Sequence, residues 1–185
     1  MTAAVVDLLC RRGLQAMDLD MVAGLARVSG SWLRGYFADA EALVAEVVRD
    51  QIRDVFAKPG LQLITAAAPG DLYRWRDGVV AAYRATRMSA GYPLGIVVHE
   101  LTGRDGRASE ALAASLGPWQ SALSDAFARL RDRGELAPGS RPMELAIAVM
   151  GALVGAMGRS GKACGPDDVL EPFDMMLRHV LTARR

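Results

Sequence analysis

Residues 18–43, DLDMVAGLARVSGSWLRGYFADAEAL, hold three helix starts in quick succession. Asp18, Ser29 and Asp39 each stand just before a run of helically spaced apolar residues, where a side-chain oxygen can accept from an unpaired N–H of the first turn. Leu19, Val22, Ala23 and Ala26 make one short helix, and Gly30 to Tyr36 makes a second after a turn at Arg27-Val28. From Asp39 onward Leu43, Val44, Val47, Val48, Ile52 and Val55 recur at threes and fours, until Pro59-Gly60 is predicted to end that helix. Two short capped helices joined by a tight turn have the shape of a helix-turn-helix. Val28, Leu33 and Phe37 are expected on the core side of the second helix, with Gly30, Ser31, Trp32, Arg34 and Gly35 outward.

The same helical period extends in both directions. Ala3 to Arg12 places Val5, Val6, Leu8 and Leu9 on one side and stops at Gly13, a suitable C-terminal glycine. Downstream lie longer helices at roughly Leu72 to Met88, Pro93 to Thr102, Ser109 to Arg133, Met143 to Arg159 and Asp168 to Thr182, separated by Gly/Pro and polar breaks. Alternating strand patterns of useful length do not occur. The expected fold is all-α, about nine helices, with the boundary expected at Pro59 to Gly70 between a small helix-turn-helix module, residues 1–58, and a larger C-terminal body, residues 59–185.

A chain of 185 residues that is 51% hydrophobic and 23% charged can bury a core and lies outside the regime of disordered chains. The formal net charge of +1 supplies no global field toward nucleic acid or an acidic membrane, so such a partner must be met by a local patch. Residues 1–58 carry seven basic and eight acidic side chains, a slightly acidic balance. Nucleic-acid affinity draws on phosphate neutralisation, so any binding there is expected to be weak, dependent on dimerisation, or lost. Cys10 and Cys164 have no second Cys or His at metal-ligand spacing, which points to reduced cytosolic thiols. No signal peptide is visible, and the longest apolar run, Leu145 to Gly158, is too short to span a bilayer. No nucleotide, metal or phosphate motif is present, so no cofactor is expected.

From Gly13-Leu14 through Val22-Ala23, Ala26, Val28-Ser29, Leu33, Tyr36-Phe37, Asp39 and Glu41 to Leu43, the chain resembles the N-terminal signature of the TetR family of bacterial repressors. The resemblance implies a homodimer whose recognition helix, Gly30 to Tyr36, enters the major groove of operator DNA while the body binds a small molecule. The implied DNA-contacting residues are Arg27, Ser29, Gly30, Ser31, Trp32, Arg34 and Tyr36. Ser29 at the start of that helix leaves backbone N–H groups for a phosphate, and Trp32 would either press on a thymine methyl or pack inward. At Met17, Arg27, Gly30, Ser31, Arg34 and Ala40 the family usually has Thr, Gly, a basic or polar residue, Gly, a phosphate-contacting Tyr and Lys respectively. Met17, Gly30 and Ala40 therefore lack a polar or charged group, whereas Arg34 retains one.

Tyr92 to Leu101, with the long helix through Trp119, resembles the ligand-binding half of one TetR subgroup. The effector pocket implied among the middle helices has Tyr83, Met88, Tyr92, Ile96, His99 and Trp119 as candidate lining, with Phe127 a further one. Aromatics and Met beside one ionisable group suit a mostly apolar pocket with few polar anchors, and ordinary core packing is the alternative role of each. No nucleophile or second acid is placed beside His99, so an enzyme is not expected. Met143, Met150 and Met157 repeat every seven residues, and Gly151 and Gly155 allow close helix approach. With the stripe of Phe173, Met176, Leu177 and Val180, the family's paired last helices make Met150, Gly151, Gly155, Phe173, Met176 and Val180 the expected dimer surface. Packing within one chain is the alternative. The expected function is a cytoplasmic ligand-responsive repressor released by a small apolar or amphipathic effector, with no membrane partner. The alternatives are a TetR-like ligand-binding protein or recruited enzyme without DNA binding, and a partner-binding dimer.

Overall fold

The computed structural model describes residues 1–90, 94–137, 139–159 and 170–182. Among them are α1 (Thr2–Arg12), α2 (Leu19–Ala26), α3 (Gly30–Tyr36), α4 (Ala40–Thr65), α5 (Pro69–Ala90), α6 (Leu94–Leu101), α7 (Arg107–Asp132), α8 (Pro142–Arg159) and α9 (Leu170–Thr182), with a 3-10 turn at Leu14–Ala16 and no strand. The all-α expectation holds among these residues. Tyr92, Cys164 and the break at 160–166 lie outside the described residues, as do the side chains of Cys10, Met88, Ile96, Met157 and Phe173.

The helix starts follow the sequence signals. Asp18 accepts from the Met21 N–H at 2.8 Å, Ser29 from Trp32 at 3.4 Å and Asp39 from Ala42 at 2.7 Å, so each supplies an acceptor that the first turn lacks. α1 ends at Gly13, whose φ of 70° lies in the region that glycine adopts freely and whose N–H returns to Leu9 O at 2.9 Å.

The expected helix end at Pro59-Gly60 is displaced. α4 continues through Pro59 to Thr65. Proline removes one backbone donor and usually breaks a helix, but here packing on both sides compensates. The Pro59 ring fills the space beside Gly78 of α5, 3.3 Å from where a Cβ on residue 78 would stand. Gly60 faces α7, and a Cβ there would overlap the Trp119 ring. The actual end is held from α7: Arg129 Nε donates to Ala66 O at 2.8 Å, its terminal nitrogen donates to Leu63 O, and Arg133 reaches Ala67 O at 3.4 Å. A cation over the final carbonyls is the favourable pairing for a helix C-terminus.

The first turn of α5 holds Asp71, whose carboxylate accepts from Ala67 N–H at 2.8 Å and Ala68 N–H at 2.9 Å. These two bonds, with the Arg74 guanidinium close by, hold the Asp71 carboxyl below its ordinary range. One hydrophobic cluster runs from Val5 and Leu9 of α1 through Leu33, Val44 and Phe56 to Trp75, Phe127, Val149 and Leu177. α4 is at its centre, packing on α7 and α5 and more lightly on α6 and α1. α9 is tied to α5 by an ion pair between Asp174 and Arg76. Among the described residues no helix is long and apolar enough to cross a membrane.

Candidate functional site

α2, the turn after it and α3 form a surface whose anchor is Leu33, fully buried, with Phe37 packed against the core. Val28 departs from the expected core position, being 37% exposed. Its N–H bonds back to Ala23 O at 3.0 Å within the turn, which leaves its side chain outside the helix-packing layer. Arg27 occupies that turn with φ 55°, the left-handed conformation that glycine accepts without strain.

Ser31, Trp32, Arg34, Gly35 and Tyr36 are all exposed, and Gly30 is half-buried. Trp32 (48% exposed) and Tyr36 (69%) lie with ring centroids 4.8 Å apart, so the two aromatics make one outward plate rather than packing into the core. Ser29 Oγ and Ser31 Oγ are hydrogen-bonded at 2.7 Å. Arg34 forms an ion pair with Asp20 of α2 across the start of α3. Gly30 makes room for this pair, since a Cβ on residue 30 would stand 2.7 Å from Asp20 Oδ1. The outward cation of α3 is thus already matched by an anion of the same protein. Met17, where a polar residue was considered missing, belongs to the buried core.

A second polar cluster joins this N-terminal part to the body. Glu41, in the first turn of α4, accepts from the Ala108 N–H at 3.3 Å and so caps α7, whose own N-cap residue Gly106 supplies no side chain. Gly106 has φ 127°, and a Cβ there would collide with the Glu41 carboxylate. Asp39 both caps α4 and receives Arg107 at 3.4 Å. A polar cavity of about 330 Å³ opens beside this joint, with Gln15, Asp39, Glu41, Arg104 and Asp105 in its wall.

In the body, Tyr83 is buried on α5. Trp119 is half-buried, stacked on Phe56 at 6.0 Å and seated on Gly60. His99 is exposed on α6. These three therefore face different surroundings: core, α4 and solvent. Phe127 is wholly buried. A residue not singled out from sequence stands apart here. Gln51 of α4 is 3% exposed, and neither its Nε2 nor its Oε1 has a hydrogen-bond partner. Its only sequence signal is a carboxamide in an otherwise apolar stripe of Val44, Val47, Val48 and Val55.

On α8 and α9, Met150 and Val180 are buried within the chain, whereas Gly151 and Gly155 are exposed with open space around them. Met143, Ile147, Gly151 and Gly155, at four-residue intervals, form an exposed strip. Beside it a largely apolar groove of about 660 Å³ is bounded by Ala152, Met175, Met176 and His179, with Met176 half-buried. Among the described residues no group of three or more His, Cys, Asp or Glu is arranged to hold a metal ion.

No protein-family model matches the chain, and no curated protein matches it significantly in sequence. Solved structures do match along nearly its whole length. The fatty acid degradation regulator FadR from Bacillus halodurans superposes with a TM-score of 0.75 at 14% identity, covering 95% of this chain and 92% of that one. The regulatory protein TetR from Rhodobacter sphaeroides gives 0.71 at 22% identity, with 97% and 96% covered. NalD, the secondary repressor of the MexAB-OprM multidrug efflux pump in Pseudomonas aeruginosa, gives 0.71 at 20% identity, with 97% and 94% covered. At these identities the likeness is one of fold.

Proposed function

We propose that this chain, built on the fold of TetR-type regulators, is a cytoplasmic ligand-responsive transcriptional repressor. It binds operator DNA as a homodimer through α3 and leaves it when a small apolar or amphipathic effector occupies the body. The observation that carries this reading is α3 itself. Leu33 anchors it to the core while Ser31, Trp32, Arg34 and Tyr36 are exposed on its outer side, so the helix can enter a groove without rearranging the fold.

Two recognition helices in a dimer must match major grooves spaced ~34–36 Å apart. An effector acts by favouring a dimer geometry that misses this spacing. The joint of Glu41 with the α7 N-terminus and Asp39 with Arg107 gives such a change a route from the body toward α3. A gel-shift or fluorescence titration against the DNA upstream of the chain's own gene, at low and moderate salt, tests the reading. Binding that weakens steeply with salt is expected, and no binding at low salt overturns it.

The Asp20–Arg34 pair favours a second reading, a ligand-binding protein of the same fold that has lost DNA binding. Asp20→Asn separates the two. In a repressor it releases Arg34 toward phosphate and strengthens DNA binding several-fold, roughly the effect of one added cation at low salt. In the second reading it changes nothing.

A further inference from the structure

Among the described residues Gln51 is the one polar or charged side chain that is buried, and both of its amide atoms lack a partner. Buried carboxamides are ordinarily hydrogen-bonded, and one left unpaired is tolerated where something else completes it. The geometry of α4 fixes the direction in which it points. Gly60, nine residues on, faces Trp119 of α7. At ~100° per residue that separation places Gln51 on the opposite side of the helix. Gln62, eleven residues on, is within about 20° of the Gln51 direction, and its Oε1 lies 3.6 Å from the Cβ position of Gly78 on α5. Gln51 therefore points away from the face of α4 that packs on Trp119, flanked on its own helix by the buried Val44, Val47, Val48 and Val55.

We propose that Gln51 is the polar anchor of the effector site, an inference that rests on the effector reading above, and that the effector's head group completes its two missing hydrogen bonds. The head group must both donate to Oε1 and accept from Nε2, as a primary carboxamide or a hydroxyl does. An ionised carboxylate has no hydrogen to donate and an ammonium has no acceptor, so the head group that satisfies both atoms is uncharged. The body it carries is apolar, matching the valines around the anchor.

Thermal unfolding and calorimetric titration of wild type, Gln51→Leu and the volume-conserving Gln51→Met test this, with decanamide, 1-decanol, decanoate and decane as probes. Without probe, both variants melt higher than wild type, by roughly 2–4 °C, because an unpaired amide is replaced by a hydrocarbon. Decanamide and 1-decanol raise the wild-type melting temperature more than ionised decanoate or decane. The affinity for decanamide falls at least about tenfold in both variants, the scale of one lost buried hydrogen bond. Lower melting of both empty variants, an absence of preference for the neutral polar probes, or equal decanamide affinity in all three proteins overturns the proposal. A gel-shift on the same samples keeps the two readings apart. Gln51-dependent probe binding without DNA binding leaves the anchor standing and removes the repressor. DNA binding without any Gln51-dependent probe effect does the reverse.

Discussion

The packing of α4 on α7 depends on a single hydrogen atom at residue 60. Trp119 lies where a Cβ would be, and its ring is also stacked on Phe56, so it has little freedom to retreat. Gly60→Ala is expected to destabilise the protein by about 1–3 kcal/mol, the usual cost of overpacking. In a Trp119→Leu background the same change should cost far less, as urea denaturation of the four proteins of the cycle would show. Arg27 presents the opposite case. It is the one non-glycine residue with positive φ among those described, and Arg27→Gly should stabilise the fold by about 1 kcal/mol by relieving the left-handed conformation. Under the proposed function the same variant should bind DNA more weakly, because a cation near α3 is gone. A melting temperature that does not rise would mean that the turn is unstrained. Arginine at this position thus trades stability for charge.

Helix ends are where the elements of this fold are decided. At the α4–α5 corner, Arg129 covers the carbonyls of Leu63 and Ala66 where α4 ends and Asp71 covers the amides of Ala67 and Ala68 just before α5. The Asp71 carboxyl titrates below its ordinary value of 3.8, chiefly through the Ala67 and Ala68 N–H groups. Its stabilisation is therefore fully present above that pH and is lost as pH falls through the lowered value. Asp71→Ala should cost about 1 kcal/mol at neutral pH, as for other helix caps, and the difference from wild type should shrink in strong acid. Denaturation curves at neutral and acid pH would check it. Asp18, Ser29, Asp39 and Gly13 were legible in the sequence because each acts on atoms within a few residues of itself. The continuation of α4 past Pro59 was not, because what offsets the lost hydrogen bond is Gly78 and Trp119, distant in the chain. Glu41 as the cap of α7 escaped for the same reason. Of the candidate site, the outward face of α3 was legible from local spacing. Gln51 was not, since periodicity reports which residues are buried and says nothing about whether a buried amide finds a partner.

At the scale of the whole molecule, a continuous core leaves an apolar surface exposed on the described parts of α8 and α9. Met150 and Val180 are already used inside the chain, so the proposed homodimer must be made by the residues that remain outside: Met143, Ile147, Gly151, Gly155 and Met175. Gly155→Glu places a charge on that strip without disturbing any neighbour, as nothing lies within 4 Å of its Cβ position. The variant should be a folded monomer by light scattering with an unchanged circular dichroism spectrum, and an unchanged dimer would move the interface elsewhere. The course of α4 has a final consequence for motion. At 26 residues it is about 39 Å long, and it is continuous from the cap beside α3 to the corner under Arg129. A rod rooted in one core at both ends does not let the N-terminal helices melt away while the rest stays folded. Limited proteolysis should therefore find no nicking site within it, and a disturbance at one end must reach the other as tilt.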